Sequence, residues 1–299
     1  MNKIDRRKAR LGYLYVALAA ILFAISGTAA KFLFNGGITA FELIQMRTTL
    51  AFSGLLVWLC LKEPALLKIS TKSLPYFFSL GVFGIGSAQF FYLLAISKIN
   101  VAAAILLHYT GPVFVALYVV FVQRQKLSIQ SKLAIVGTLI GCFLVVGAYN
   151  LQLFALNRGG ILAGFMAAIA FAVYSILSDY GMRSHSPWTV LLYGMLFAAV
   201  MWNILHPPVE AFLHGYSPIQ WGCIAFIGIF GTIFPFGLYF KAIKRIKPTN
   251  ASITATLEPI SAGVIAALFL GEVMVPLQIV GALIVIGSII ILQSSSADR

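Results

Sequence analysis

Few residues in this chain could do chemistry, and most of them lie inside apolar runs. Glu258 is an acid set deep in such a run, directly before Pro259. A charge at the centre of a hydrocarbon layer costs about 2.5–3.5 kcal/mol on insertion scales, so something must justify it. Three uses fit: holding a substrate ammonium, carrying a coupling proton, or pairing with a cation across a helix bundle. Arg47 is the matching oddity among the cations. Glu42, five residues earlier, is off its helical face. Arg47 is therefore expected to reach an acid or freed carbonyls on another helix, as a structural or gating lock. His108 is a lone imidazole one turn before Pro112, open to a substrate or proton role or to hydrogen-bonded packing. Gln89 and Tyr92 share a helical face, and with Tyr239, Tyr174 and Ser175 they offer rings and polar handles suited to an amphipathic ligand in a wet pocket.

Three prolines sharpen this set. Pro112 and Pro259 fall at corresponding places in two apolar runs, and each removes the backbone donor that would bond the carbonyl four residues earlier, at His108 and Ala255. An unpaired carbonyl in lipid costs several kcal/mol, so both expected kinks must face protein or a wet cavity. Pro235 adds a third, beside Gly231 and Gly237.

The elements that must position these residues follow from composition. Of 299 residues, 61% are hydrophobic and only 10% charged. A hydrocarbon layer about 30 Å thick needs roughly 20 apolar residues per crossing, so an all-α membrane protein is expected. Apolar runs fall at about 11–34, 39–61, 74–97, 101–122, 132–149, 159–178, 187–206, 218–243, 249–270 and 275–293, which predicts ten transmembrane helices. The first run is about 20 residues long and recurs later in the chain, which favours a membrane helix over a signal peptide. The net charge of +13 sits in short loops and not on a basic surface with interleaved aromatics, so no nucleic-acid partner is expected. Seventeen of the 21 cations fall on one side of the predicted membrane, which places both termini in the cytoplasm. Trp58, Trp188, Trp202 and Trp221 fall near span ends, where indoles anchor at interfaces. Cys60, Cys142 and Cys223 have no paired spacing and read as packing residues.

The chain also repeats itself. Shifted by 147 residues, Gly81, Phe83, Gly84, Tyr92, Ala95, Ile96, Ile99, Ala104 and Pro112 align with Gly228, Phe230, Gly231, Tyr239, Ala242, Ile243, Ile246, Ala251 and Pro259. Near that offset Phe23-Ala24 matches Phe171-Ala172, and Ile135-Val136-Gly137 matches Ile279-Val280-Gly281. Five crossings per copy is an odd number, so the copies should lie inverted in the membrane, the arrangement used for alternating access around a midplane site. The expected units are a cytoplasmic segment 1–10, a first repeat 11–150, a second repeat 159–293 and a cytoplasmic tail 294–299.

Leu257-Glu258-Pro259, followed by Ala262, Ala266, Gly271-Glu272, Gln278 and Gly281, resembles the carboxy-terminal signature of EamA-type members of the drug/metabolite transporter superfamily. Phe41-Glu42 with Arg47 is similar to a weaker amino-terminal pattern, and overall likeness points toward the aromatic amino-acid exporters of that superfamily. The resemblance implies a basket of ten helices around a central cavity, exporting amino acids or similar metabolites. The first half departs from the pattern, with Gly111 and no acid before Pro112. A role for Glu258 therefore cannot be mirrored there.

The expected function is secondary transport of a small molecule, an amino acid with an aromatic or bulky apolar side chain first, across the inner membrane. Another metabolite or drug class is the alternative substrate. An intramembrane enzyme would need more than a Ser87–His108 pair, and a channel or receptor does not explain the duplication. No His-Glu-x-x-His set or phosphate-cradling loop occurs, so neither metal nor cofactor nor nucleotide hydrolysis is expected. The expected partners are the substrate and the lipid bilayer, with the chain as a monomer.

Overall fold

The computed structural model describes residues 3–98, 104, 107–124, 126–145, 158–205, 213–270 and 275–297. The Gly271-Glu272 part of the signature, the start of the fourth expected run and the end of the fifth lie outside the described residues. All regular structure among the described residues is helical. α1 is Lys3–Asn35 and α2 is Ala40–Lys62. α3 is built from Leu74–Ser79, Leu80–Gly86 and Ser87–Lys98. α4 is Gly111–Phe121, α5 Ile129–Val145, α6 Arg158–Gly181 and α7 Pro187–Leu205. α8 joins Pro218–Gly228, Ile229–Ile233 and Phe234–Ile246; α9 joins Pro248–Ala255 and Leu257–Leu270; α10 is Pro276–Ala297. Six stretches among the described residues are long and apolar enough to cross a membrane, in α1, α2, α3, α6, α7 and α8. Shorter apolar helices lie at Ile129–Leu144 and Ile279–Ser288.

The prolines act differently from the expected mid-helix kinks. Pro112 sits in the first turn of α4, after a break at Tyr109–Thr110, and Pro259 in the first turn of the second α9 segment, after a break at Thr256. A first-turn proline lacks a donor that the helix start would leave unpaired anyway, so breaks between helical segments replace the bends. Pro235 follows directly on the widened π turns Ile229–Ile233, which accommodate its missing N–H. α3 carries the matching π stretch Leu80–Gly86, which a shift of 147 maps onto 227–233.

Packing repeats as well. α1 lies along α8 as α6 lies along α3; α2 packs on α7, and α5 on α10. A Cβ on Gly84 would lie 2.9 Å from Tyr174 Cβ, and one on Gly231 would lie 2.7 Å from Ser26 Cβ. Likewise Gly81 meets the Gly194 carbonyl and Phe197, while Gly228 meets Leu50 and the Arg47 carbonyl. Each second contact maps onto the first by a shift of 147 or 148 residues. At one end of the molecule Gly36 meets Gln220, and His214 Nδ1 lies 3.5 Å from Glu42 Oε1. The end of α1 and the starts of α2 and α8 therefore share that end. At the other, Thr189 and Tyr193 donate to the carbonyls of Leu66 and Leu67 at 2.9 and 2.6 Å, and Tyr76 donates to the Leu177 carbonyl at 2.9 Å. The end of α2 and the starts of α3 and α7 share this end with the last turns of α6.

One indole departs from the interfacial expectation: Trp202 is buried, its ring centroid 4.3 Å from that of Phe90 and tilted 37° to it. The backbone of Tyr174 is held at Gly84 with no room for a side chain between them. Gly84→Leu is expected to lower thermal stability in detergent by about 1–3 kcal/mol through overpacking, read from the shift in melting temperature. The same change at exposed Gly222, which meets nothing within 4 Å, should shift it little.

Candidate functional site

A cavity lies where α1, α2, α3, α6, α8 and α9 converge. Its wall includes Phe23, Ser26, Arg47, Gln89, Tyr92, His108, Tyr109, Phe171, Tyr174, Phe236, Tyr239 and Glu258. About 70 Å³ is open to the centres of water molecules, where a single water needs about 10–15 Å³. The lining is built from repeat-related positions. Tyr92 and Tyr239, and Gln89 and Phe236, are 147 apart; Phe23 and Phe171, and Ser26 and Tyr174, are 148 apart. The hollow is thus bounded by matching positions of both halves of the sequence.

Arg47 is buried, and its partner is a freed carbonyl. Pro235 has no N–H to offer the carbonyl four residues earlier, that of Gly231, and Arg47 Nη2 donates to it at 2.9 Å. Arg47 Nε donates to Thr232 Oγ1 at 2.7 Å, and that hydroxyl donates its own proton to the Ile227 carbonyl at 2.7 Å. The planar fork of the guanidinium suits this two-point grip on a widened turn. Its remaining donors are left for the cavity it lines.

Glu258 stands in the first turn of the second segment of α9 and lines the cavity, as Tyr109 does. Tyr109 also reaches the Ala255 carbonyl at 3.3 Å, one of the two carbonyls the prolines were expected to free. Arg47 and Glu258 line the same cavity, yet no direct ion pair joins them among the described residues.

Aromatic rings form the rest of the wall. The His108 ring lies 5.0 Å from Tyr92 and 5.2 Å from Phe171; Phe171 lies 5.0 Å from Tyr174, and Tyr174 5.8 Å from Tyr239. Three polar atoms here have no hydrogen-bond partner: both ends of the Gln89 amide and His108 Nδ1.

The structure thus brings together His108, Gln89, Tyr92, Tyr174, Tyr239, Glu258 and Arg47. Ser175 is the exception. One residue along from Tyr174, it turns about 100° away on the helix and is fully buried behind the wall, with Oγ 3.1 Å from the Tyr239 hydroxyl. Pro235 and Pro259 are buried outside the lining, and Pro112 contributes through the backbone break. The sequence reading missed Tyr109, Phe23, Ser26, Phe171 and Phe236. The duplication held the signal for four of them: Phe23 and Phe171 are repeat mates, Phe236 is the mate of Gln89, and Ser26 that of Tyr174.

Helices long and apolar enough to cross a membrane thus surround a ring-lined cavity that holds one acid and one cation, an arrangement suited to a membrane transporter. By its sequence the chain belongs to the EamA-like transporter family, which matches residues 10–147 and 158–293. It is similar to an uncharacterized transporter of Archaeoglobus fulgidus, at 27% identity over 95% of this chain and 97% of that protein. It is similar to the inner membrane transporter YicL of Salmonella typhimurium, at 26% over 97% of each, and to the threonine/homoserine exporter RhtA of Escherichia coli, at 27% over 93% of this chain and 87% of that one. A crystal structure 17% identical in sequence shares the fold, with a TM-score of 0.77 over 97% of this chain and 98% of its own. The family and these relatives are transporters and not enzymes.

Proposed function

We propose that this protein is a secondary transporter that exports amino acids, aromatic and bulky apolar ones first, across the inner membrane by alternating access. In this reading residues 11–150 and 159–293 are two five-helix copies inverted in the bilayer, with both termini cytoplasmic. What supports the inversion is the sharing of helix ends: α1 finishes where α2 and α8 begin, and α6 finishes beside the starts of α3 and α7, at the opposite end of the molecule. Related copies that run oppositely can exchange conformations, opening the shared hollow to one side and then the other.

The observation that carries the proposal is the cavity itself. It sets Arg47 and Glu258 against each other without pairing them, and faces them with rings from both copies. A zwitterion with an apolar side chain complements that wall. The substrates of the threonine/homoserine exporter RhtA are of the same class. The room present is small, so a large side chain must part the rings as it enters.

The test is uptake by liposomes holding the purified protein, with and without a proton gradient. Phenylalanine, tryptophan and leucine are expected to move faster than sugars or cationic drugs. Inertness toward every amino acid, with another metabolite class moving, would transfer the assignment to that class.

A further inference from the structure

Gln89 is 6% exposed and lines the cavity, yet neither its amide nitrogen nor its amide oxygen has a partner in the protein. Buried polar groups are nearly always paired, and each unmade bond costs about 1–3 kcal/mol. The fold does not require an amide there, because the repeat mate of Gln89 is Phe236, a ring at the same place in the same wall. One turn along α3 stands Tyr92; the neighbouring His108 leaves Nδ1 open. Arg47 and Glu258 supply opposite charges to the same space.

A primary amide presents one acceptor and two donors side by side. Its complement is a group whose donor and acceptor are also adjacent, and the head of an α-amino acid is such a group, with ammonium and carboxylate on one carbon. We propose that Gln89 is a specificity-determining residue that reads both charges of a zwitterionic head at once. Its Oε1 accepts from the ammonium, which Glu258 also holds, and its Nε2 donates to the carboxylate, which the free donors of Arg47 also hold. The amide selects zwitterions against solutes that carry only one of the two charges. This rests on the amino-acid reading above.

Three ligands that share a ring and differ in charge test it: phenylalanine, phenethylamine and 3-phenylpropionate. Binding to the purified full-length protein is measured by thermal shift and by displacement of labelled phenylalanine. The unaltered protein is expected to prefer phenylalanine by at least about tenfold over either analogue, since a hydrogen bond to a charged group contributes about 1.5–3 kcal/mol. Gln89→Leu should erase most of that preference. Gln89→Glu, with its added negative charge, should turn it toward phenethylamine, which a merely structural role for Gln89 would not do. Equal binding of all three ligands by the unaltered protein, or undiminished selectivity in both variants, would overturn the proposal. Failure of the underlying reading looks different: the unaltered protein would bind no amino acid, and the proposal would fall with it.

Discussion

Glu258→Gln is expected to reduce amino-acid transport about 100-fold while leaving the protein folded. The amide has the size of the carboxylate and fills the same place in the wall, and the Tyr109 bond to the Ala255 carbonyl at the break in α9 does not depend on it. What disappears is the negative charge facing the cavity. A charge-assisted bond to a substrate ammonium is worth about 1.5–3 kcal/mol, roughly 10- to 150-fold in affinity. The measurements are initial uptake rate in liposomes and melting temperature in detergent. A large fall in melting temperature with normal transport in the surviving protein would make Glu258 a structural group.

Arg47→Leu should damage both stability and transport. It leaves the Gly231 carbonyl and the Thr232 hydroxyl without their donor in the wall of α8. The Gly231 carbonyl left unpaired, at about 1–3 kcal/mol, and the loss of one of the two Thr232 hydroxyl bonds would lower the melting temperature by several degrees. Arg47→Lys should recover only part of this, because an ammonium cannot reproduce the two-point fork. Pro235 allows a sharper check. Pro235→Ala restores a backbone N–H that can bond the Gly231 carbonyl, so the double variant Arg47→Leu/Pro235→Ala should melt higher than Arg47→Leu alone. If the two changes simply add, the freed carbonyl is not what Arg47 serves.

These two residues show what could be read from the chain without coordinates. Arg47 stood out because a cation inside an apolar run must have a partner, and freed carbonyls were among the partners named for it. Sequence alone could not tell which proline freed the carbonyl, since that depends on which helix packs on α2. Pro112 and Pro259 were recognised as a matched pair, yet their place in the first turn of new helical segments was not legible. A proline inside a long apolar run fits either a bend or a restart, and only the breaks at Tyr109–Thr110 and Thr256 decide. Tyr174 and Ser175 were inseparable by type, and the helical rotation between them sent one to the cavity and the other behind Tyr239. Phe23 and Phe171 carried no polar group to mark them. Their repeat relation was visible in the sequence, but it acquires meaning only when both rings are found in the wall of one cavity. Gly84 and Gly231 were legible as repeat mates, and the packing adds what each closes on: Tyr174 for Gly84 and Ser26 for Gly231.

The most direct test of a carrier working through this cavity is counterflow. Liposomes holding the purified protein are loaded with unlabelled phenylalanine and diluted into a trace of the labelled amino acid, with no ion gradient imposed. An alternating-access carrier should drive a transient, saturable accumulation of label above equilibrium, greatly reduced in Glu258→Gln. Label that only rises to equilibrium at a rate linear in concentration, or an overshoot untouched by that substitution, would contradict it.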